Sequence, residues 1–91
     1  MASTIDTSPE SIQEFRFKIQ DRIEQLKEQL KSTESAIETV HKDWDDDVFR
    51  NFIDGFSKDK DEITKLCEIL SEYEENILAP FQQKLEHYLG L

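Results

Sequence analysis

The stretch that decides the fold is Asp43-Trp44-Asp45-Asp46-Asp47, near the middle of the 91-residue chain. It contains the only tryptophan, and a long segment with helical periodicity lies on each side of it. Asp45 or Asp46 can cap a helix that begins here, and the remaining aspartate suits its first turn. His41 and Lys42 suit the negative end of a helix that ends here. The stretch therefore predicts a turn between two helices rather than one continuous rod.

The first segment has apolar residues at heptad spacing. One series consists of Ile12, Ile19, Leu26, Thr33 and Val40, and the interleaved series consists of Ile23, Leu30, Ile37 and Trp44. Such a pattern is typical of a helix with one buried seam that packs at a shallow angle. Ser8-Pro9-Glu10 supplies an N-cap, a first helical residue and an acid in the first turn. We predict a polar tail over residues 1–7 and a helix over residues 8–42.

The second segment repeats the heptad spacing. Its first series consists of Phe49, Phe56, Ile63, Leu70 and Ile77. We expect the partner series to be Phe52, Asp59, Leu66 and Tyr73, with Asp59 as a polar break, and Val48, Ile53, Ile69 and Leu78 to lie beside the seam. Pro80 lacks an amide proton and clashes with the preceding turn, so it predicts a kink. We predict a turn over residues 43–46 and a helix over residues 47–89.

These segments together predict an all-α fold, an antiparallel two-helix hairpin. The apolar stripe is wider than one seam requires, and two helices alone bury little surface for their length. We therefore expect two hairpins to pair into a four-helix bundle dimer. The residues that we expect at this interface are Phe49, Ile53, Phe56, Ile63, Leu66, Leu70 and Tyr73.

Composition excludes several classes of partner. The net charge of −10 disfavours binding to nucleic acid or to an anionic membrane surface. No apolar run approaches the ~18 residues that a membrane span needs, so no membrane insertion is expected. The N-terminus lacks the features of a secretory signal peptide, so we expect synthesis in the cytoplasm. Cys67 is the only cysteine, which rules out an intramolecular disulfide and favours a small buried apolar role.

No pattern in the chain points to catalysis. His41 and His87 would lie at opposite ends of a hairpin, which disfavours a joint site within one chain. The alternating aspartates of residues 43–47 match the start of a calcium-binding loop, but Val48 stands where that loop needs glycine for its sharp turn. Helix capping accounts for the acids more simply. We therefore predict no enzyme activity, no cofactor and no metal site.

The layout resembles the WXG family, the small bacterial helical hairpins of the early-secreted-antigen type that are linked to type VII secretion. The family pattern is a Trp, a Gly two residues later, a small apolar residue two further on and a Phe four beyond that. The matching residues here are Trp44, Asp46, Val48 and Phe52. Asp46 thus replaces the family's glycine. The Tyr-x-x-x-Asp/Glu signal that family substrates often carry is missing, because the residue at that spacing after Tyr73 is Ile77.

The resemblance implies a non-enzymatic secreted substrate or co-exported partner of a type VII-like secretion system. It also implies pairing, as a homodimer or as a heterodimer with a related helical hairpin, and contacts to a larger effector or a secretion component. Two other functions stay open on the sequence: a cytosolic adaptor or targeting chaperone for a larger effector, and a generic coiled-coil assembly subunit. Trp44 is expected either to complete the seam at the turn or to anchor a partner.

Overall fold

A computed structural model describes residues 7–90, which are almost entirely helical. Helix α1 spans Pro9–His41 and helix α2 spans Asp47–Tyr73. A π-helical turn, Glu74–Leu78, connects α2 directly to helix α3, Ala79–Tyr88. No strand is present within the described range. The predicted N-terminal tail lies, apart from Thr7, outside the described residues.

The chain folds back on itself as an antiparallel hairpin. Near the turn, Lys60 on α2 lies 3.1 Å from the carboxylate of Glu34 on α1. At the open end, Arg16 on α1 donates a hydrogen bond of 2.6 Å to Gln82 on α3. The described residues measure 63 × 24 × 17 Å, the shape of two long helices side by side. The predicted all-helical hairpin is confirmed.

Local sequence signals account for where the helices begin and end. The Ser8 hydroxyl accepts a hydrogen bond of 3.2 Å from the amide of Ser11 and so caps α1. Pro9 takes the first helical position, where its missing amide proton costs nothing. Helix α3 ends with the Gly90 backbone in the left-handed region at φ 74°, which glycine adopts without steric cost.

The chain stays helical at Pro80, where the sequence predicts a kink. The π-helical turn lies immediately before this proline and ends at Leu78. A π-helical turn holds about one more residue than an α-helical turn. Proline has no amide proton to donate, and its ring clashes with the carbonyl of the preceding turn in a regular α-helix. The wider turn accommodates both restrictions. It also rotates α3 so that Gln82 and Leu85 are buried against α1.

One of the two heptad series that the sequence predicts on the inside of α2, the partner series, faces outward in the structure. Phe52, Leu66 and Tyr73 remain 50%, 47% and 54% exposed, and Asp59 is also exposed. The seam consists instead of Phe49, Ile53, Phe56, Lys60, Ile63, Cys67, Leu70 and Glu74, all of which are buried or half-buried. The predicted partner series is therefore wrong. The prediction failed because the inward series contains two charged residues, Lys60 and Glu74. Each of them forms an ion pair with a residue of α1.

One of these charges belongs to a polar cluster at the open end of the hairpin. The Arg16 guanidinium donates to the carboxylate of Glu74 and to the side-chain oxygen of Gln82. Gln82 in turn donates to Glu86 at 3.0 Å. Glu74 and Gln82 are 7% and 8% exposed, whereas the Arg16 side chain keeps 24% exposure, so the carboxylate side of this ion pair is buried and its cation reaches the surface. It holds α1 against both the π-helical turn and α3.

Breaking the buried ion pair on one side should destabilise the hairpin strongly. Arg16→Met leaves the Glu74 carboxylate buried without its cation, and we expect a loss of about 3–5 kcal/mol in the free energy of unfolding. Urea denaturation followed by circular dichroism measures this loss. The double variant Arg16→Met/Glu74→Leu should recover most of it, because no charge is then left unpaired.

The pair formed by Lys60 and Glu34 provides the control. Both side chains are 42% exposed, so Lys60→Met should cost less than about 1 kcal/mol. Equal losses for the Arg16 and Lys60 variants, or no recovery in the double variant, would contradict a special role for the buried pair.

Candidate interaction surface

Three aromatic rings cover the turn end of the hairpin. Phe49, in the first turn of α2, is only 4% exposed. The His41 ring stacks on one side of it, with centroids 4.8 Å apart and an angle of 16° between the planes. Trp44 meets it edge-on, with centroids 5.1 Å apart and an angle of 60°. Trp44 itself stays 38% exposed, so it both packs on the turn and presents an open ring face.

Asp46 is the residue that starts α2. Its carboxylate accepts a hydrogen bond of 2.9 Å from the amide of Phe49. This amide first, and then the side chain of Trp44, hold the pKa of Asp46 below its usual range. The backbone of Asp46 is extended, with φ −134° and ψ −174°, a conformation that does not require glycine. Aspartate in place of the glycine of the WXG pattern is therefore compatible with this turn and is a better N-cap than glycine.

The cap at Asp46 should be visible in the pH dependence of stability. A group whose pKa is lowered on folding contributes stability above its unfolded pKa and loses that contribution as the pH falls through the folded value. Asp46→Asn keeps a capping oxygen but cannot titrate. We expect the wild-type protein to lose stability relative to Asp46→Asn as the pH is lowered from 6 to 3, measured by thermal denaturation.

Asp46→Ala removes the capping oxygen and should lower Tm by roughly 4–8 °C at pH 7. Asp43→Ala is the matched control, because Asp43 is exposed and its carboxylate makes no hydrogen bond or ion pair within residues 7–90. A constant difference between the wild type and Asp46→Asn from pH 6 to 3 would exclude an ionised cap.

One side of the hairpin, here called the apolar face, carries most of the exposed hydrophobic side chains. Near the turn, a groove of about 270 Å³ is lined by Ala36, Val40, Trp44 and Phe52, among others. Further from the turn, a second groove on the same side is lined by Leu26, Gln29, Thr33, Phe56, Asp59 and Ile63, together with Leu30. Helical spacing extends this face in both directions along the molecule. Its exposed large residues are Phe15, Val40, Val48, Phe52, Leu66, Ile69 and Tyr73.

The opposite side of the hairpin is charged. The groove at its turn end is lined by Glu38, His41, Asp45, Arg50 and Asp54, with the apolar Ile37, Phe49 and Ile53 at its base. Further along, the lining residues include Glu24, Lys27, Glu28, Lys31, Glu34 and Lys60. Because charged side chains cover one side and apolar side chains the other, the two sides have different chemistry. The charged side suits solvent, whereas the apolar face suits contact with another protein.

The hairpin exposes more surface in total than a compact monomer of its mass, and many of its large hydrophobic residues are part of that surface. Within residues 7–90, four hydrophobic residues are buried, namely Ile23, Phe49, Cys67 and Leu85, whereas thirteen large hydrophobic residues are exposed. The accessible surface is 7418 Å², against roughly 5500 Å² for a compact monomer of this mass. Large contiguous exposed apolar surface marks a contact site.

The structure divides the predicted site residues into two groups. Trp44, Val48, Phe52, Leu66 and Tyr73 lie on the apolar face with substantial exposure. The others lie wholly or partly between the helices of the hairpin: Phe49 is buried, and Ile53, Phe56, Ile63 and Leu70 are half-buried. Further large hydrophobic residues that are exposed but absent from the predicted interface include Phe15, Val40, Ile69, Ile77 and Phe81. Heptad spacing offered a signal for Ile77, which lies seven residues after Leu70, and for Ile69, which lies three heptads after Val48.

Other kinds of site find no support in the described part of the chain. Between residues 7 and 90, no three His, Cys, Asp or Glu side chains come together in a way that could hold a metal ion. In the same range, no helix combines the length and the apolar character that crossing a membrane requires. Comparison with known proteins gives no match to a protein-family model, to a curated protein or to a solved structure.

Proposed function

We propose that this protein is a non-enzymatic, WXG-like helical hairpin that pairs with a second helical hairpin through its apolar face. The pair forms a four-helix bundle, and its role is that of a secreted substrate or co-exported partner of a type VII-like secretion system. The observation that carries this proposal is the apolar face itself. It runs along the hairpin from Phe15, near the open end, to Val48, beside the turn, and it is exposed in the single chain.

The dimensions of the face support a stable contact. The hairpin is 63 Å long and 24 Å wide, and a stable interface needs about 800 Å² from each partner. A second hairpin laid along this face would cover Phe52, Leu66 and Tyr73, which are each about half exposed. Burying a large apolar side chain completely contributes about 1.5–3 kcal/mol, so these half-exposed residues would contribute roughly half as much each, and stable pairing needs the whole length of the face to offset the cost of association.

The turn supports the likeness to WXG proteins. Trp44 lies beside the first turn of α2, Asp46 caps that helix, and Val48 and Phe52 point outward on the apolar face. Phe52 also stacks with Phe56 one turn further on, with centroids 6.5 Å apart. Within the motif, Trp44 and Asp46 belong to the turn and cap at the start of α2, whereas Val48 and Phe52 are exposed and available to a partner. Proteins of this kind act by binding, and the exposed part of the motif is available for that.

A charge placed on the apolar face should weaken pairing without unfolding the hairpin. Leu66→Glu introduces a carboxylate at an exposed position in the middle of the face, and burying it against a partner hairpin carries a large desolvation cost. Gln20→Glu adds the same charge at an exposed position away from the face. We expect light scattering and analytical ultracentrifugation to show loss of self-association, or of binding to a partner hairpin from the same host, only for Leu66→Glu. Equal behaviour of the two variants would remove the apolar face from the proposal.

Export is tested in the native host. We expect the protein in the culture medium when the secretion ATPase is intact and only inside the cells when that ATPase is inactivated, with a cytosolic enzyme as the lysis control. Leu66→Glu should also stay inside the cells if pairing precedes export. Retention of the wild type in a stable complex with one large effector would instead identify an adaptor or targeting chaperone.

A further inference from the structure

Helix α3 carries two rows of apolar residues, and only one of them faces α1. The inward series of α2 ends in Cys67, Leu70 and Glu74, with alternating steps of three and four residues. Continued by the same steps, the series reaches Ile77, Phe81, Lys84 and Tyr88. The structure instead buries or half-buries the residues one position later, Leu78, Gln82 and Leu85. The inward series therefore shifts by one residue at the π-helical turn.

The extra residue of the π-helical turn causes this shift. One residue of an α-helix corresponds to a rotation of about 100°, so a turn with one more residue rotates α3 by about that amount relative to an uninterrupted helix. Ile77, Phe81 and Tyr88 consequently point away from α1 and are 49%, 39% and 74% exposed. These three residues, here called the α3 row, follow Tyr73 at helical spacing. They continue the apolar face to the open end of the hairpin.

A regular α-helix over the same residues would bury the α3 row. Arg16 contacts both Glu74 and Gln82, so the half-buried Ile12 and Ile19, about one turn to either side of Arg16, lie opposite this part of the arm. Ile77 and Phe81 would pack against them. Gln82 would move into the heptad row of three exposed acids, Asp61, Glu68 and Glu75. Apolar burial therefore does not explain the observed arrangement, which places a glutamine where a phenylalanine could lie.

Pro80 explains it. In an α-helix the proline ring would clash with the carbonyl of Asn76, and this carbonyl would lose its amide donor. The π-helical turn ends just before the proline, and the amide of Ala79 donates to the carbonyl of Glu74, five residues back. The backbone is thus widened where the ring needs space. The hydrogen bond of 2.6 Å from Arg16 to Gln82 then forms as a consequence, because Gln82 faces α1.

We propose that α3 is a two-register element and that Pro80 selects the register in which the α3 row is exposed. With proline, the apolar face continues past Tyr73 to the open end. Without it, α3 turns by about 100°, covers Ile77 and Phe81 against α1, and the apolar face ends near Tyr73. This inference does not depend on the proposed pairing, because the register of α3 is a property of the single chain. Pro80 is a positioning residue that determines which surface the open end offers to a partner.

The side-chain amide of Gln82 reports the register in solution. Gln82 is 8% exposed, whereas the neighbouring Gln83 is exposed. In heteronuclear NMR spectra of the full-length protein, a water-soluble paramagnetic agent should broaden the amide signals of Gln83 and spare those of Gln82. In Pro80→Ala we expect Gln82 to lose this protection and to broaden as strongly as Gln83. A crystal structure of the same variant should show Ile77 and Phe81 facing α1.

Two control variants keep Pro80 and should keep Gln82 protected, and circular dichroism verifies that each variant keeps its helices. Glu75→Ala changes an exposed residue of the same π-helical turn. Arg16→Lys keeps a cation beside Glu74 but lacks the planar fork that also reaches Gln82. A protected Gln82 in Pro80→Ala would overturn the proposal. Exposure of Gln82 in Arg16→Lys would overturn it as well, because the Arg16 contact would then select the register. Neither result bears on pairing through the apolar face, which Leu66→Glu tests separately.

Discussion

The contact between Arg16 and Glu74 determines which side of the second arm lies inside the hairpin. Glu74 is buried, and the 3–4 spacing of a helical seam then places Cys67, Lys60 and Ile53 inside with it. The same rotation turns Phe52, Leu66 and Tyr73 outward. An ion pair at one end of the molecule therefore decides the composition of a face that extends along its whole length. Lys60 and Glu34 form a second ion pair nearer the turn, but both side chains are 42% exposed and the pair is correspondingly weak.

The helices and the turn could be predicted from sequence because their causes are local. Ser8 and Asp46 cap helices through amides three residues away, and heptad spacing alone predicts two long amphipathic helices. The inward series of α2 could not be predicted in this way. Hydrophobicity favours the series with Phe52, Leu66 and Tyr73, and the observed choice depends on contacts between residues 58 apart in sequence. A usable signal was present, since Arg16 falls seven residues before Ile23 in a series of α1 that is otherwise apolar.

The same contrast between local causes and distant contacts applies to the candidate site. Trp44 and Asp46 could be identified because a turn between two capped helices is visible in the sequence. The apolar face could be identified only in part, because its membership depends on how α2 is rotated. The sequence predicts Leu66 and Tyr73 both at a partner interface and in the seam, and their exposure is compatible only with the first of these positions. The π-helical turn escaped prediction because proline signals an irregularity without specifying its form.

A seam that contains Lys60 and Glu74 is a weaker source of stability than an apolar seam of the same length. Replacing buried ion pairs with packed apolar residues is often neutral or stabilising, so the charges contribute orientation rather than free energy. With only four hydrophobic residues buried, the single hairpin has a small core, and covering the apolar face would add to it. Folding stability then becomes linked to association and rises with protein concentration. One rotation of α2 thus sets both the contacts inside the hairpin and the apolar surface that the hairpin leaves exposed.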